Sequence, residues 1–359
     1  IMNVTDKLYN EWAWRTKSGT PSMNNPEDKA ILDNLIAELT NADGEISKSE
    51  VIDAIKKGEF TPQQLKTILN GISGVAYKEE VLNFLNSKGK ATASISKTIY
   101  NTMVENGDIQ AYHTYIKQTP ITYSQLGSSG NLKERFRKFL SDATIQFLFD
   151  IKPQVGNVAT GKGEVLLCAL TADVDGDPAH GDVGVGDKGI EVKGKSAIPM
   201  GQKAQFGKNT DVKFIADTIK GINQILDTPI NTFTKGKRPL HRLNLIFADV
   251  VEQDKDKLEG AIGAADNAFR ANYPGLDFSD FSLKNYKKGN GIDADAAEQV
   301  FGKKVIKLYT ETEAFEEVLF IDDASGNYAI VPADKLVSLA GSKIKIWMKD
   351  GLPRWTYQF

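Results

Sequence analysis

The sequence predicts an α/β protein with a mixed central sheet, preceded by a helical region and followed by β-hairpins, and three observations carry that reading. The first 125 residues or so show short helical periods with start and stop signals and no sustained strand alternation. From residue 131 onward, helical and strand-like patterns alternate. The last 45 residues or so read as two hairpins. The expected organisation is a helical N-terminal domain over 1–126, an α/β core over 131–315 and a β-hairpin-rich C-terminal extension over 316–359.

Composition narrows the class. Of 359 residues, 41% are hydrophobic and 25% charged, which suits a folded, water-soluble chain and excludes collagen-like, coiled-coil and wholly disordered readings. No apolar run approaches the roughly 20 residues of a membrane helix, so no membrane partner is expected. The first residues lack a basic start followed by an apolar block, which makes a cytoplasmic location the expectation. The single cysteine, Cys168, lies in an apolar run and reads as core, with no disulfide framework. The net charge of −3 hides two basic clusters, one at Lys193, Lys195, Lys203 and Lys208, the other at Lys235, Lys237, Arg238 and Arg242.

Taken in order, Asn25-Pro26-Glu27-Asp28 supplies a cap, a proline at the first helical position and early acids, and Ile31, Leu32, Leu35, Ile36 and Leu39 form an apolar face. Ser47 with Glu50, and Thr61-Pro62 with Gln64, open further short helices ending near Gly58 and Gly71. Gly127-Ser128-Ser129-Gly130 is the linker candidate, followed by a helical period through Leu132, Phe136, Phe139, Leu140, Ala143 and Phe147. An apolar helix is expected near 164–170, a hairpin over 182–193, and a helix over 211–226. A strand over 243–247, a helix over 257–272 and a strand over 304–309 complete the core. The two terminal hairpins turn at Ser325-Gly326-Asn327 and at Asp350-Gly351.

The stretch from Gly181 to Gly194 carries the chemistry. Alternation puts Glu191 and Lys193 on one face of a strand and Ile190 and Val192 on the other. A turn centred on Asp187 and Lys188 places Asp182 opposite Lys193 and Gly184 opposite Glu191, with Gly184 leaving room for a ligand. A turn of odd length would point Asp182 away. Two carboxylates that converge need a cation between them, and oxygen ligands favour a hard ion such as Mg²⁺. A neighbouring lysine then orients or activates water, which is the equipment for metal-assisted phosphodiester hydrolysis. Glu164, opening the preceding helix, is a candidate for a further acid at the same cavity.

This pattern of Asp182, Glu191-Val192-Lys193 and an acid on a preceding helix resembles the PD-(D/E)XK, or restriction-endonuclease-like, nucleases. The resemblance covers residues 131–315 and implies a mixed sheet flanked by helices. It also implies Mg²⁺, with Mn²⁺ as a substitute, held by Asp182, Glu191 and the Val192 carbonyl, with Lys193 positioning the nucleophile and Glu164 supporting the site. The proline of the family's name is replaced by Gly181. The implied activity is DNA cleavage, as an endonuclease, and cutting both strands of a duplex would suit a homodimer. Lys195, Gln202, Lys203, Lys235, Lys237, Arg238 and Arg242 are then the candidate DNA contacts. A second class keeps the fold and binds DNA without turnover.

Rival motifs are weaker. Gly156-Asn157-Val158-Ala159-Thr160-Gly161-Lys162 has the spacing of a phosphate-binding loop, with the strand ending in Asp322-Asp323 as its partner, which suggests a nucleotide hydrolase. Gly163 then stands where that loop needs a magnesium-binding hydroxyl. Residues 43–50 resemble half an EF-hand loop, but Leu39 occupies the first ligand position. Asp173, Asp175 and Asp177 read as a solvated turn, Trp12 and Trp14 as packing anchors, and His113, His180 and His241 as too scattered for a ligand set.

Overall fold

The computed structural model describes Trp12, residues 15–17, 25–31, 34, 77–151, 161–194, 198–199, 210–231, 238–349 and 352–359. The helix signals at Ser47 and Thr61, the EF-hand-like stretch, Trp14 and the turn at Asp350 and Gly351 lie outside these residues. The chain divides into two compact units, one of residues 1–127 with 131–177, the other of 128–130 with 178–359.

The described part of the first unit is helical, and the unit reaches further along the chain than the glycine-rich linker suggests. Its described part includes helices over 77–86, Ser96–Asn106, Ile109–Gln118, Asp142–Asp150 and Lys162–Leu170. Side chains tie residues beyond 131 to the earlier helices. Asp108 accepts hydrogen bonds from Ser141 N at 3.0 Å and Ser141 Oγ at 2.6 Å, and also from the Thr144 hydroxyl. Buried Tyr112 donates to the Ala169 carbonyl at 2.8 Å, and Tyr115 stacks on Phe139 at 3.8 Å. The α/β core therefore does not begin at 131: Leu132, Phe136, Leu148 and residues 165–170 bury their side chains in the helical unit. Cys168 is fully buried there, and burial pushes its thiol up to about 12, which fits its reading as core. Asn25 caps its helix, with Oδ1 accepting from Glu27 N at 3.0 Å, and Trp12 anchors the same segment through Nε1 to the Asp28 carbonyl at 2.7 Å.

The second unit contains a mixed five-stranded sheet. Its strands are β1 (Ser129–Asn131), β2 (Val183–Val185), β3 (Lys188–Gly194), β7 (Glu317–Ile321) and β8 (Asn327–Pro332), in the order β1-β8-β7-β3-β2. β3 and β7 are parallel, while β2–β3 and β7–β8 are antiparallel hairpins. A second sheet has the order β4-β10-β9, from Ile198–Pro199, Leu352–Tyr357 and Ile344–Lys349, and β5 (Lys287–Lys288) pairs with β6 (Gly291–Ile292). Both terminal hairpins form as expected, yet β7 sits at the centre of the large sheet. Residues 316–359 thus complete the α/β unit and do not stand beside it as an extension.

Two expected strands are helical. Residues 243–247 lie within the Pro239–Gln253 helix and residues 304–309 within the Ala294–Glu313 helix. Leu240, Leu243, Phe247 and Val250 are buried while Leu245 is exposed, and Phe301, Val305 and Tyr309 are buried while Lys307 is exposed. That is a 3.6-residue period, invisible in a five-residue window. With Thr210–Asn223 and Leu258–Asn272, these helices enclose an aromatic core of Phe214, Phe247, Phe269, Tyr273 and Phe301. The Ala294–Glu313 helix approaches β9 closely at Gly302, where an added Cβ would lie 2.1 Å from Ile346 Cγ2.

Candidate active site

The β2–β3 hairpin positions the acids, though not in the expected register. The two-residue turn is Gly186-Asp187, with Gly186 at φ 59°, so Val183 pairs with Ile190 and Gly184 with Gly189. The shift from the expected pairing is even, so every side chain keeps its face. Gly184 does not open a space beside Glu191, because a Cβ there would meet Pro178 Cβ at 2.9 Å.

Asp182 extends the ladder through its side chain. Its backbone N donates to the Ile190 carbonyl at 2.9 Å, and its Oδ2 accepts from Val192 N at 2.9 Å, standing where the next strand carbonyl would be. Because N–H and C=O of one strand residue point to the same edge, the Val192 carbonyl faces the Asp182 side as well. Gly181 has φ 75°, and its added Cβ would lie 2.8 Å from the Ile190 backbone. Proline, fixed near φ −65°, cannot stand here. The glycine before Asp182 is thus a local backbone requirement.

Asp182, Glu191 and Lys193 come together. Lys193 Nζ pairs with Glu191 Oε1 and lies 3.6 Å from Asp182 Oδ2. Glu191 is only 4% exposed, and the Lys193 and Asp182 side chains are 15% and 31% exposed. A residue that sequence reasoning passed over completes the group: Tyr309 Oη donates to Glu191 Oε1 at 2.5 Å. The signal was present as helical spacing from Phe301, but reading 304–309 as a strand hid it.

Burial raises the Asp182 carboxyl above its ordinary value, the Lys193 charge opposing and the Glu191 charge adding to this. Burial works against the Lys193 ammonium, but Asp182 and Glu191 outweigh it and hold the group above the usual lysine range. Burial, followed by the Glu191 charge, drives the Tyr309 hydroxyl far up, so it stays a donor. The bonds engage Asp182 Oδ2 and Glu191 Oε1, leaving Oδ1, Oε2 and the Val192 carbonyl as hard oxygen donors. That donor set fits Mg²⁺ or Mn²⁺.

The other candidates fare differently. Glu164 belongs to the helical unit, where Oε1 accepts from Gly161 N at 2.7 Å and caps the Lys162–Leu170 helix. Lys195, Gln202, Lys203, Lys235 and Lys237 lie outside the described residues. Arg242 does not fit a phosphate contact: its side chain is 6% exposed and pairs with Asp211 at 3.3 Å. Arg238 is likewise engaged, donating from Nη2 to Glu298 Oε2 at 2.7 Å and Asp295 Oδ1 at 2.5 Å. The loop acids act locally, Asp173 accepting from Tyr123 N at 2.8 Å and Asp175 from Asp177 N at 3.0 Å. Asp322 belongs to the β7–β8 turn, with Gly326 N donating to its carbonyl at 2.6 Å, as a plain hairpin requires.

His241 is less isolated than its sequence position suggests. Among the described residues, His241, Asp295 and Glu298 bring ligand atoms within 4.8 Å of one another, because the Ala294–Glu313 helix starts beside the Pro239–Gln253 helix. Arg238 already holds both acids, so this group reads as an ion-pair network. Burial raises the Glu298 carboxyl, with Arg238 pulling it back. An acid with a raised folded value loses stability as pH climbs from its unfolded value through its folded one. R238A removes the pull, so it is expected to lower unfolding free energy by about 2 kcal/mol at neutral pH, below the ~3–5 of a fully buried pair because Arg238 is partly exposed. The loss should shrink at acidic pH, as the raised Glu298 carboxyl protonates. Urea melts at both pH values check this, and an equal loss at both would show that Glu298 is not the cause.

In comparisons with known proteins, the chain matches no family model, no curated protein and no solved structure. Among the described residues, no helix is long and apolar enough to cross a membrane.

Proposed function

We propose that this protein is a Mg²⁺-dependent nuclease of the restriction-endonuclease-like kind, hydrolysing DNA phosphodiester bonds as an endonuclease. The observation that carries the reading is the convergence of Asp182, Glu191 and Lys193 around the Val192 backbone, on a mixed sheet with helices. Asp182 Oδ1, Glu191 Oε2 and the Val192 carbonyl would hold the cation. The bound ion supplies Lewis acidity at the phosphoryl oxygen and a more acidic water. Lys193, restrained by both carboxylates, orients the attacking water and offsets charge on the phosphate. Tyr309 and the surrounding apolar core exclude bulk water from the Glu191 side. DNA as the substrate class rests on the resemblance of Asp182 and Glu191-Val192-Lys193 to that superfamily.

Supercoiled plasmid, linear duplex and RNA are incubated with protein in Mg²⁺, Mn²⁺ or chelator. DNA cleavage that requires metal is the expected result. Salt-sensitive DNA binding with no cleavage in either metal would favour the second reading, a DNA-binding protein that keeps this fold without turnover.

A further inference from the structure

We propose that Tyr309 is a positioning residue for the metal site: its hydroxyl shares Glu191 Oε1 with the Lys193 ammonium, leaving Oε2 as the oxygen Glu191 offers to a divalent cation. The inference rests on the reading of Asp182 and Glu191 as metal ligands.

A glutamate side chain has three rotatable bonds, and Lys193 alone fixes little, since an ammonium pairs equally well with either carboxylate oxygen. Tyr309 supplies a second constraint from a different element, 118 residues away, at 2.5 Å. Its ring is itself held, with centroids 5.5 Å from Phe315 and 6.3 Å from Trp355, and Trp355 packs 5.6 Å from Phe320 of β7. The sheet and helix therefore fix the ring, the ring fixes the hydroxyl, and the hydroxyl fixes rotation about the last bond of Glu191. With Oε1 accepting two donors, Glu191 would offer a bound cation only Oε2. Partners that orient a ligand in this way are typically worth roughly 10- to 100-fold in metal affinity.

The test is Mn²⁺ binding without nucleic acid, read from the paramagnetic resonance signal of free Mn²⁺. Wild type, Y309F, E191Q and the Y309F/E191Q pair are compared, with melting in chelator as the folding control. Y309F, which keeps the packed ring, is expected to bind Mn²⁺ roughly 10- to 100-fold more weakly while melting near the wild type. E191Q should lose more, and adding Y309F to it should change little, because Tyr309 acts through Glu191. Wild-type affinity in Y309F, or a Y309F loss that persists in full in the E191Q background, would overturn the inference while E191Q still shows the metal site. Absence of Mn²⁺ binding in the wild type, or wild-type binding in E191Q, would instead remove the metal-site reading itself.

Discussion

E191Q is expected to lose metal-dependent cleavage by about 10³-fold or more, the effect of removing several kcal/mol of transition-state stabilisation, while the protein folds and melts close to the wild type. The amide keeps the shape of Glu191 and one oxygen to accept from Tyr309, but it removes the negative charge a divalent cation needs. D182N should behave in the same way, with Val192 N still bonded. Alanine is a poorer probe than the sequence alone suggests. Glu191 is 4% exposed and carries both Lys193 and Tyr309, so E191A leaves a half-buried ammonium and a buried hydroxyl facing a void. It should lower stability by about 3 kcal/mol as well as abolish cleavage. Plasmid nicking in Mg²⁺, paired with a melt, separates the two effects, and E191Q cleaving at the wild-type rate would remove Glu191 from the mechanism.

K193M is expected to cut turnover by about 10²- to 10³-fold, the usual worth of one donor aimed at developing charge, without weakening Mn²⁺ binding. Methionine preserves most of the stem volume but leaves Asp182 and Glu191 facing each other with no cation between them. The metal should then raise the melting temperature of K193M more than that of the wild type, because it replaces the missing positive charge. Single-turnover cleavage at saturating metal, together with melting with and without Mn²⁺, checks both halves. Unchanged turnover would reduce Lys193 to an ion-pair partner.

Local patterns in this chain were legible where a single strand or turn carries the information. Alternation in Ile190-Glu191-Val192-Lys193 sorted charged from apolar faces, and that survived a one-residue displacement of the turn, because this shifts the pairing by two residues and the side-chain period of a strand is two. The terminal hairpins were readable from their turn residues, and the Lys162–Leu170 helix from its apolar run and the capping acid Glu164. Short apolar runs inside long helices were not, since Leu243 to Phe247 matches a strand until the buried Leu240 and Val250 are set beside it.

By itself the sequence determined which groups are available for chemistry: an acid at 182, an acid and a base two positions apart on one strand face, and a glycine where the chain must turn. Tertiary structure decided which of them work together. Tyr309, on a helix begun at Ala294, bonds Glu191 of β3 from 118 residues away, and β7 becomes the parallel neighbour of β3 across more than a hundred residues. Arg238 and Arg242, alike in sequence to phosphate-binding cations, are claimed by Glu298, Asp295 and Asp211 from other helices. The physical reason is that charge and hydrogen-bond partners are assigned by distances of a few ångströms, and long-range packing, unlike periodicity, leaves no local trace in the chain.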